Sequence, residues 1–428
     1  MSAPWLFLAV ALVGAWFTYN AFRPHYRHPR LSVVSFFAGW LTTELAFHHL
    51  AWQVLVTAVW VWFGALGDWP GWVGLGITLV SWLGLARLLR GATTAETVVE
   101  KALGEGLGVD YQKDIRPEVL DQFAPGVDWR QILMPFPMWH PEVERLRDVV
   151  YAQVDGFKLK LDVYRHRSRP KNAPILLQIH GGAWVLGSKN EQGIPLMLQL
   201  ASRGWVCVAI NYRLSPRATF PAQLVDVKRA IAWIRRHADE YGANPDFLVV
   251  TGGSAGGHLC ALTALTANDP EYQPEFAEVD TSVRACVAFY GVYDFADRHG
   301  HYYHPGFAKL LSKHVMKVHP QKDPAAYDRA SPLARITTGA PPFFVIHGDR
   351  DTLVPVAVAR QFVQTLREHS RAPVVYAEIP GAQHAFDIFP SLRATFVIHG
   401  VERFLAWVYS RYLAAGGRQT RAGIAAAG

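Results

Sequence analysis

Val249-Val250-Thr251-Gly252-Gly253-Ser254-Ala255-Gly256-Gly257-His258 runs from an apolar strand end through a Gly-x-Ser-x-Gly core into a helix start. Serine is a weak nucleophile, and a sharp strand-to-helix turn holds one out for attack. Gly252 and Gly256 flank it because a bulkier residue at either place would clash in so tight a bend. Ser254 is therefore the candidate nucleophile. Such a short pattern recurs by chance, so its weight comes from other segments placed in order before and after it.

Before it, His180-Gly181-Gly182-Ala183-Trp184 follows the apolar run Ile175–Ile179. A turn of small residues leaves backbone N–H groups free to point at a developing oxyanion, which acyl transfer requires. Gly182 and Ala183 are the expected donors, with Gly181 shaping the oxyanion hole. A third donor is Ala255, directly after the serine and at a helix start, where N–H groups are unpaired and the dipole favours negative charge. After it, His347-Gly348-Asp349-Arg350-Asp351-Thr352-Leu353-Val354-Pro355 follows the run Phe343–Ile346. Asp349 and Asp351 both stand where a carboxylate is wanted. Pro380-Gly381-Ala382-Gln383-His384-Ala385-Phe386 follows Val374–Ile379. The chain has 18 histidines, so a lone one means little, but His384 has the order and setting of a general base.

Between these segments, short apolar runs alternate with amphipathic stretches. Ile175–Ile179, Val206–Ile210, Phe247–Val250, Ala285–Tyr290, Phe343–Ile346 and Val374–Ile379 read as buried strands. Leu224, Val227, Ile231 and Ile234 fall at helical spacing, as do Val358, Phe362 and Leu366. The fold class expected is α/β, a mostly parallel sheet with helices on both faces. Thr93–Arg147 and Phe295–Arg335 interrupt the alternation and are expected to form cap segments. Cys207, Cys260 and Cys286 sit in apolar contexts and read as buried thiols.

The chain of 428 residues is half hydrophobic and only 18% charged, and the excess lies at its start. From Pro4 to about Leu89 it is nearly free of charge. Trp5–Tyr19, Leu31–Leu66 and Trp72–Leu89 are apolar; the middle one is about twice the usual spanning length. This predicts a transmembrane region over 1–90, a linker and cap segment over 91–148, a catalytic domain over 149–415 with a cap insertion at about 295–335, and a flexible tail over 416–428. Arg23, Arg27 and Arg30 follow the first segment, and Arg87 and Arg90 end the last. The positive-inside rule puts both places in the cytoplasm, and three spans satisfy that. Glu44, an acid inside an apolar stretch, is either functional or a polar residue at a helix contact. The net charge of +7 comes with no Lys/Arg-dense run and no nucleic-acid module, so membrane lipid is the expected partner. His299, His301, His304, His314 and His319 lack a metal-ligand spacing; no metal and no cofactor is expected.

The region from about Val149 to Leu413 resembles the α/β-hydrolase fold, and more narrowly the hormone-sensitive-lipase-like carboxylesterases. Their His-Gly-Gly-Gly-Trp compares with His180–Trp184. Their Gly-Asp-Ser-Ala-Gly-Gly compares with Gly252–Gly257, and their Asp-Tyr-Arg-Leu-Ala-Pro with Asn211–Pro216. Their Asp-x-Leu-Val-Pro segment and late histidine match Asp351–Pro355 and His384. With its apolar N-terminal region, the chain is similar overall to the membrane-anchored Lip-type esterases of actinobacteria. The resemblance implies a Ser254–Asp351–His384 triad, no cofactor, and a hydrophobic acyl ester as substrate. Trp184 is the expected substrate-binding side chain, with a core position as the alternative. Arg213 is available to pair with Asp226. Three departures stand out: Ala183 for a glycine, and Gly253 and Asn211 each for an aspartate. A serine peptidase of prolyl-oligopeptidase type and a non-catalytic hydrolase-like interaction protein remain as other readings.

Overall fold

The computed structural model describes residues 2–120, 126–136 and 138–417. The expected tail therefore lies outside the described residues from 418 onward. Eight strands form one sheet in the order β1-β2-β4-β3-β5-β6-β7-β8. They are β1 (Val143–Val154), β2 (Phe157–His166), β3 (Ala173–Ile179), β4 (Val206–Ile210), β5 (Ala243–Gly253), β6 (Ala285–Phe289), β7 (Phe343–Gly348) and β8 (Val374–Ile379). From β4 to β8 every pairing is parallel. β1 and β2 form an antiparallel hairpin on one edge, turned at Asp155-Gly156, where both residues have positive φ.

The apolar runs become the parallel strands because both faces are covered. Leu177, Ile179, Leu248, Val250, Phe343 and Val345 face one core. Leu176, Val249, Val287, Phe344 and Ile346 face the other. This is the two-residue period of a strand with both faces buried. The helices Ala222–His237, Ala255–Leu265 and Val356–His369 cover the first face. Ile194–Ser202 and Leu392–Ala414 cover the second. Register gathers the loops that matter: Ile179 lies opposite Gly252, Gly253 opposite Phe289, and Gly348 opposite Ile379. The segments after β3, β5, β7 and β8 thus leave the sheet at one end.

Four helices precede the sheet: α1 (Ala3–Phe22), α2 (Pro29–Glu44), α3 (Ala46–Trp62) and α4 (Trp69–Leu107). α1 and α4 are long and apolar enough to cross a membrane. The long middle stretch is not one straight helix, because α2 and α3 meet at a bend of 87°. α2 instead lies along the hydrolase sheet's loop end. Near its start the Thr352 hydroxyl donates to Ser32 O at 3.1 Å. At its end Glu44 accepts from Ser391 Oγ at 2.6 Å and forms a buried ion pair with Arg393. Small and polar residues such as Ser32, Ser35, Gly39 and Thr43 fill its buried side, while Leu31, Val33, Val34 and Phe37 are exposed.

The linker and cap expected over 91–148 take a different form. α4 runs on without a break to Leu107. Ala92, Ala95, Val99, Ala102 and Leu103 make a buried stripe at helical spacing, which docks on the C-terminal helix and β8. β1 then begins at Val143, inside the expected cap. The cap insertion at 295–335 contains short helical turns. Its Tyr303 ring packs on Tyr26 at 5.0 Å, beside the α1–α2 connection.

Gly400 marks how closely α4 is docked. A Cβ there would lie 2.0 Å from Val99 Cγ1. Valine in a helix is nearly fixed at χ1, so it cannot turn away. Glycine to alanine inside a helix ordinarily stabilises by about 1 kcal/mol. Gly400→Ala is expected to do the reverse, destabilising by about 1–3 kcal/mol through overpacking. Thermal melting of wild type and variant in mild detergent checks this; a raised melting temperature would contradict the docking described.

Candidate active site

β5 ends at Gly253, and Ser254 turns the chain into the helix Ala255–Leu265 with φ 59° and ψ −120°. That is a strained conformation for a side-chain-bearing residue, held by the packing around it. A Cβ on Gly252 would meet Ile179 O at 2.5 Å, and one on Gly256 would meet the same oxygen at 2.0 Å. The end of β3 passes so close that only glycine fits on either side of the serine.

The loop after β3 packs against this turn: a Cβ on Gly181 would lie 3.1 Å from Ser254 Cβ. Gly181 N–H donates to Gln192 Oε1 at 2.6 Å, so it shapes the loop and is not a free donor. Among the described residues, the N–H groups of Gly182, Ala183 and Ala255 donate to no protein acceptor. His180 supports the loop from within. Its Nδ1–H donates to Gly181 O at 2.7 Å, its ring stacks on Tyr212, and the Tyr212 hydroxyl donates to His180 O. Burial pushes the His180 imidazole down to about 4, so it is neutral at physiological pH. Ala183 has φ 52°, a conformation that glycine adopts more readily. Asn211 Oδ1 accepts the Lys189 N–H at 2.8 Å and closes the same loop.

Asp351 and His384 meet directly. His384 Nδ1 donates to Asp351 Oδ2 at 2.6 Å, and both residues are buried. Asp351 Oδ1 accepts the backbone N–H groups of Leu353 and Val354, each at 2.8 Å. His347 Nε2 lies 3.2 Å from Asp351 Oδ2. Burial acts to raise this carboxyl, but His384 and His347 hold it well below the usual range. Asp349 is turned elsewhere, accepting the Gly381 N–H at 2.7 Å. Arg350 does not pair with it but donates to Ala21 O at the end of α1.

Trp184 departs from the substrate-binding role expected for it. Its ring is only 1% exposed, packed against Phe295 and His258. Its indole N–H donates to His258 Nδ1 at 3.2 Å, and His258 Nε2–H donates to Ala330 O at 2.7 Å. The ring is core, with no surface left to meet a ligand. The pairing of Arg213 with Asp226 is present, at 2.8 Å. Among the described residues no three His, Cys, Asp or Glu side chains converge at metal-binding distance.

Three side chains of this site carried no sequence signal. Gln383 Oε1 accepts both the Thr352 and His384 N–H groups, at 2.7 and 2.9 Å, and sews the two loops together. Tyr290 lies against His384 with ring centroids 4.6 Å apart, and its hydroxyl donates to the buried Asp387. Burial pushes the Asp387 carboxyl up to about 6. Phe36 of α2 also approaches the His384 ring, edge-on at 6.0 Å.

The BD-FAE family model matches residues 161–366. A probable carboxylic ester hydrolase of Mycobacterium tuberculosis, LipM, is 43% identical over 425 residues, 94% of this chain and 93% of its own length. The esterase LipC of the same organism is 46% identical over 272 residues, 63% of this chain and 67% of its own. Among solved structures, the thermophilic esterase Est2 of Thermogutta terrifontis with propionate bound is 27% identical. The two superpose with a TM-score of 0.51 over 66% of this chain and 97% of that one.

The Gly253 departure has a steric cause. A Cβ at this position would lie 2.6 Å from Tyr290 Oη. Gly253→Asp is expected to displace Tyr290 or the serine turn and to lower kcat/KM on a short-chain ester about 100-fold, the usual effect of a misplacement near 1 Å. Steady-state kinetics of the folded variant checks this. Near wild-type activity would mean that Tyr290 yields freely.

Proposed function

This chain belongs to the hormone-sensitive-lipase-like carboxylesterases of the α/β-hydrolase fold and is a carboxylic ester hydrolase, and from that premise we propose that it is a membrane-bound serine esterase working through Ser254, His384 and Asp351. The observation that carries this reading is the buried Asp351–His384 pair at the same end of the sheet as the strained Ser254 turn. In this mechanism Ser254 Oγ attacks the ester carbonyl carbon as His384 Nε2 takes its proton. The oxyanion that forms is held by the N–H groups of Gly182, Ala183 and Ala255. Collapse of the intermediate expels the alcohol, which takes the proton from His384, and leaves an acyl group on Ser254. Water, activated by His384, then releases the acid. Asp351 fixes the ring orientation and stabilises the imidazolium. No metal or organic cofactor enters these steps, and the substrate is a hydrophobic acyl ester.

We further propose three spans, α1, α3 and α4, with α2 lying at the membrane surface. Both ends of α2 are tied to the hydrolase, so it does not cross. α3 leaves it at a steep angle and α4 returns to the sheet. Arg23, Arg27, Arg30, Arg87 and Arg90 then lie on the hydrolase side, and the positive-inside rule makes that side cytoplasmic.

Ser254→Ala is expected to lower kcat by about four to six orders of magnitude, and Asp351→Asn by about four. The assay is hydrolysis of p-nitrophenyl esters from acetate to palmitate by membranes carrying each protein. A folded Ser254→Ala protein that keeps a substantial share of the wild-type rate excludes this nucleophile.

Protease added to sealed cells is expected to spare the hydrolase, and to cut it once the membrane is opened. Cleavage in sealed cells places the hydrolase outside.

A further inference from the structure

A row of aromatic rings leads from His384 to the outer surface. Phe36 lies 6.0 Å from the His384 ring, and Trp40, one turn along α2, stacks on Phe36 at 5.5 Å. Trp40 also stacks on Phe389 at 4.8 Å, and Phe389 meets Phe136 edge-on at 5.0 Å. Phe136 is 57% exposed. The row begins beside the proposed general base and ends in the open.

Where it ends is apolar. Trp129, Leu133, Met134 and Trp139 surround Phe136 in sequence, and all are largely exposed. An exposed cluster of this kind on a chain with spanning helices marks a membrane contact. The segment is held at that level, because His48 Nε2–H, at the start of α3, donates to Leu133 O at 3.0 Å. The outward face of α2, with Leu31, Val33, Val34 and Phe37, is apolar too. These apolar faces lie at the loop end of the sheet, which α2 roofs, on the side read above as meeting the membrane. Within the row, Trp40 Nε1 is buried with no acceptor among the described residues. A buried indole N–H without a partner is costly, and an acceptor brought by a ligand would satisfy it.

We propose that Phe36, Trp40, Phe389 and Phe136 form the acyl-chain track along which a long-chain lipid ester passes from the bilayer to Ser254, with Trp40 Nε1 donating to an oxygen of the ester or its alcohol. This rests on the serine-esterase reading above and narrows its substrate to lipids resident in the membrane. Water-soluble short-chain esters have no acyl chain to lay along the row. Long-chain esters gain apolar contact with each ring.

The test uses the full chain reconstituted in phosphatidylcholine vesicles, with p-nitrophenyl palmitate and p-nitrophenyl acetate as probes. Phe36→Ala, Trp40→Ala and Phe136→Ala are each expected to lower the palmitate-to-acetate ratio of kcat/KM by about tenfold. Val33→Ala, on the outward face of α2, is expected to leave it unchanged. Alanine at a buried ring risks the fold, so Phe36→Leu and Trp40→Phe are measured alongside. Trp40→Phe keeps an aromatic ring in the row and removes the N–H together with part of the ring. A ratio unmoved by all the row variants, or lowered as much by Val33→Ala, overturns the track. Ser254→Ala is run in the same vesicles. Hydrolysis that persists there removes the serine mechanism and leaves the ratios to be judged separately.

Discussion

The buried pair of Glu44 and Arg393 joins the two halves of this molecule. Glu44 ends α2, and Arg393 lies in the first turn of the C-terminal helix, nine residues after His384. Ser391 adds a hydroxyl to the same carboxylate. Removing one partner from a buried ion pair typically costs about 3–5 kcal/mol, because the other charge is left uncompensated. The acid that looked costly inside an apolar stretch is therefore compensated by the hydrolase. The consequence is mechanical: α2 cannot lift from the sheet's loop end without exposing or stranding a charge. Its inner face is small and polar where it lies against those loops, and its outer face is apolar and exposed among the described residues.

Much of the sheet was legible because parallel strands buried on both faces are continuous apolar runs, as in Ile175–Ile179 and Phe343–Ile346. The motif segments were legible for a related reason. Gly252, Gly256 and Gly182 stand where backbone approaches backbone, and no other residue type fits. The β1–β2 hairpin was missed because an edge strand is half-exposed and carries Arg145, Arg147 and Asp148 in place of an apolar run. Its signals were the Asp155-Gly156 turn and the alternation of Leu159, Leu161 and Val163. The place of α2 was illegible for a deeper reason. In sequence it runs on into α3 as one long apolar stretch, and only contacts distant in sequence, Ser32 with Thr352 and Glu44 with Arg393, bring it over the loops. Trp184 was misread because a motif position says where the backbone goes, not which way an indole points.

The departures from the family pattern now have local causes. Tyr290 fills the space a side chain at position 253 would need, and glycine there follows. Asn211 still does what a carboxylate would do, accepting a backbone N–H from the oxyanion loop. Ala183 sits in the left-handed region, so the glycine it replaces would be less strained. Its N–H stays free all the same, which is what an oxyanion donor needs.

Two buried carboxyls stand near one imidazole, and their surroundings set them apart. Asp351 accepts from His384, lies close to His347, and takes two backbone N–H groups from the turn that follows it. Asp387 accepts from the Tyr290 hydroxyl, which is a weaker compensation for the same loss of water. The first is held well below the usual carboxylate range and the second is pushed up to about 6. Asp351 thus stands on the side of His384 that carries Nδ1, where it accepts the Nδ1–H and fixes the tautomer. The Tyr290 hydroxyl offsets part of the burial that raises Asp387, and through that hydrogen bond Asp387 holds a ring against His384. It is the number of donors around each acid, more than burial itself, that assigns the roles.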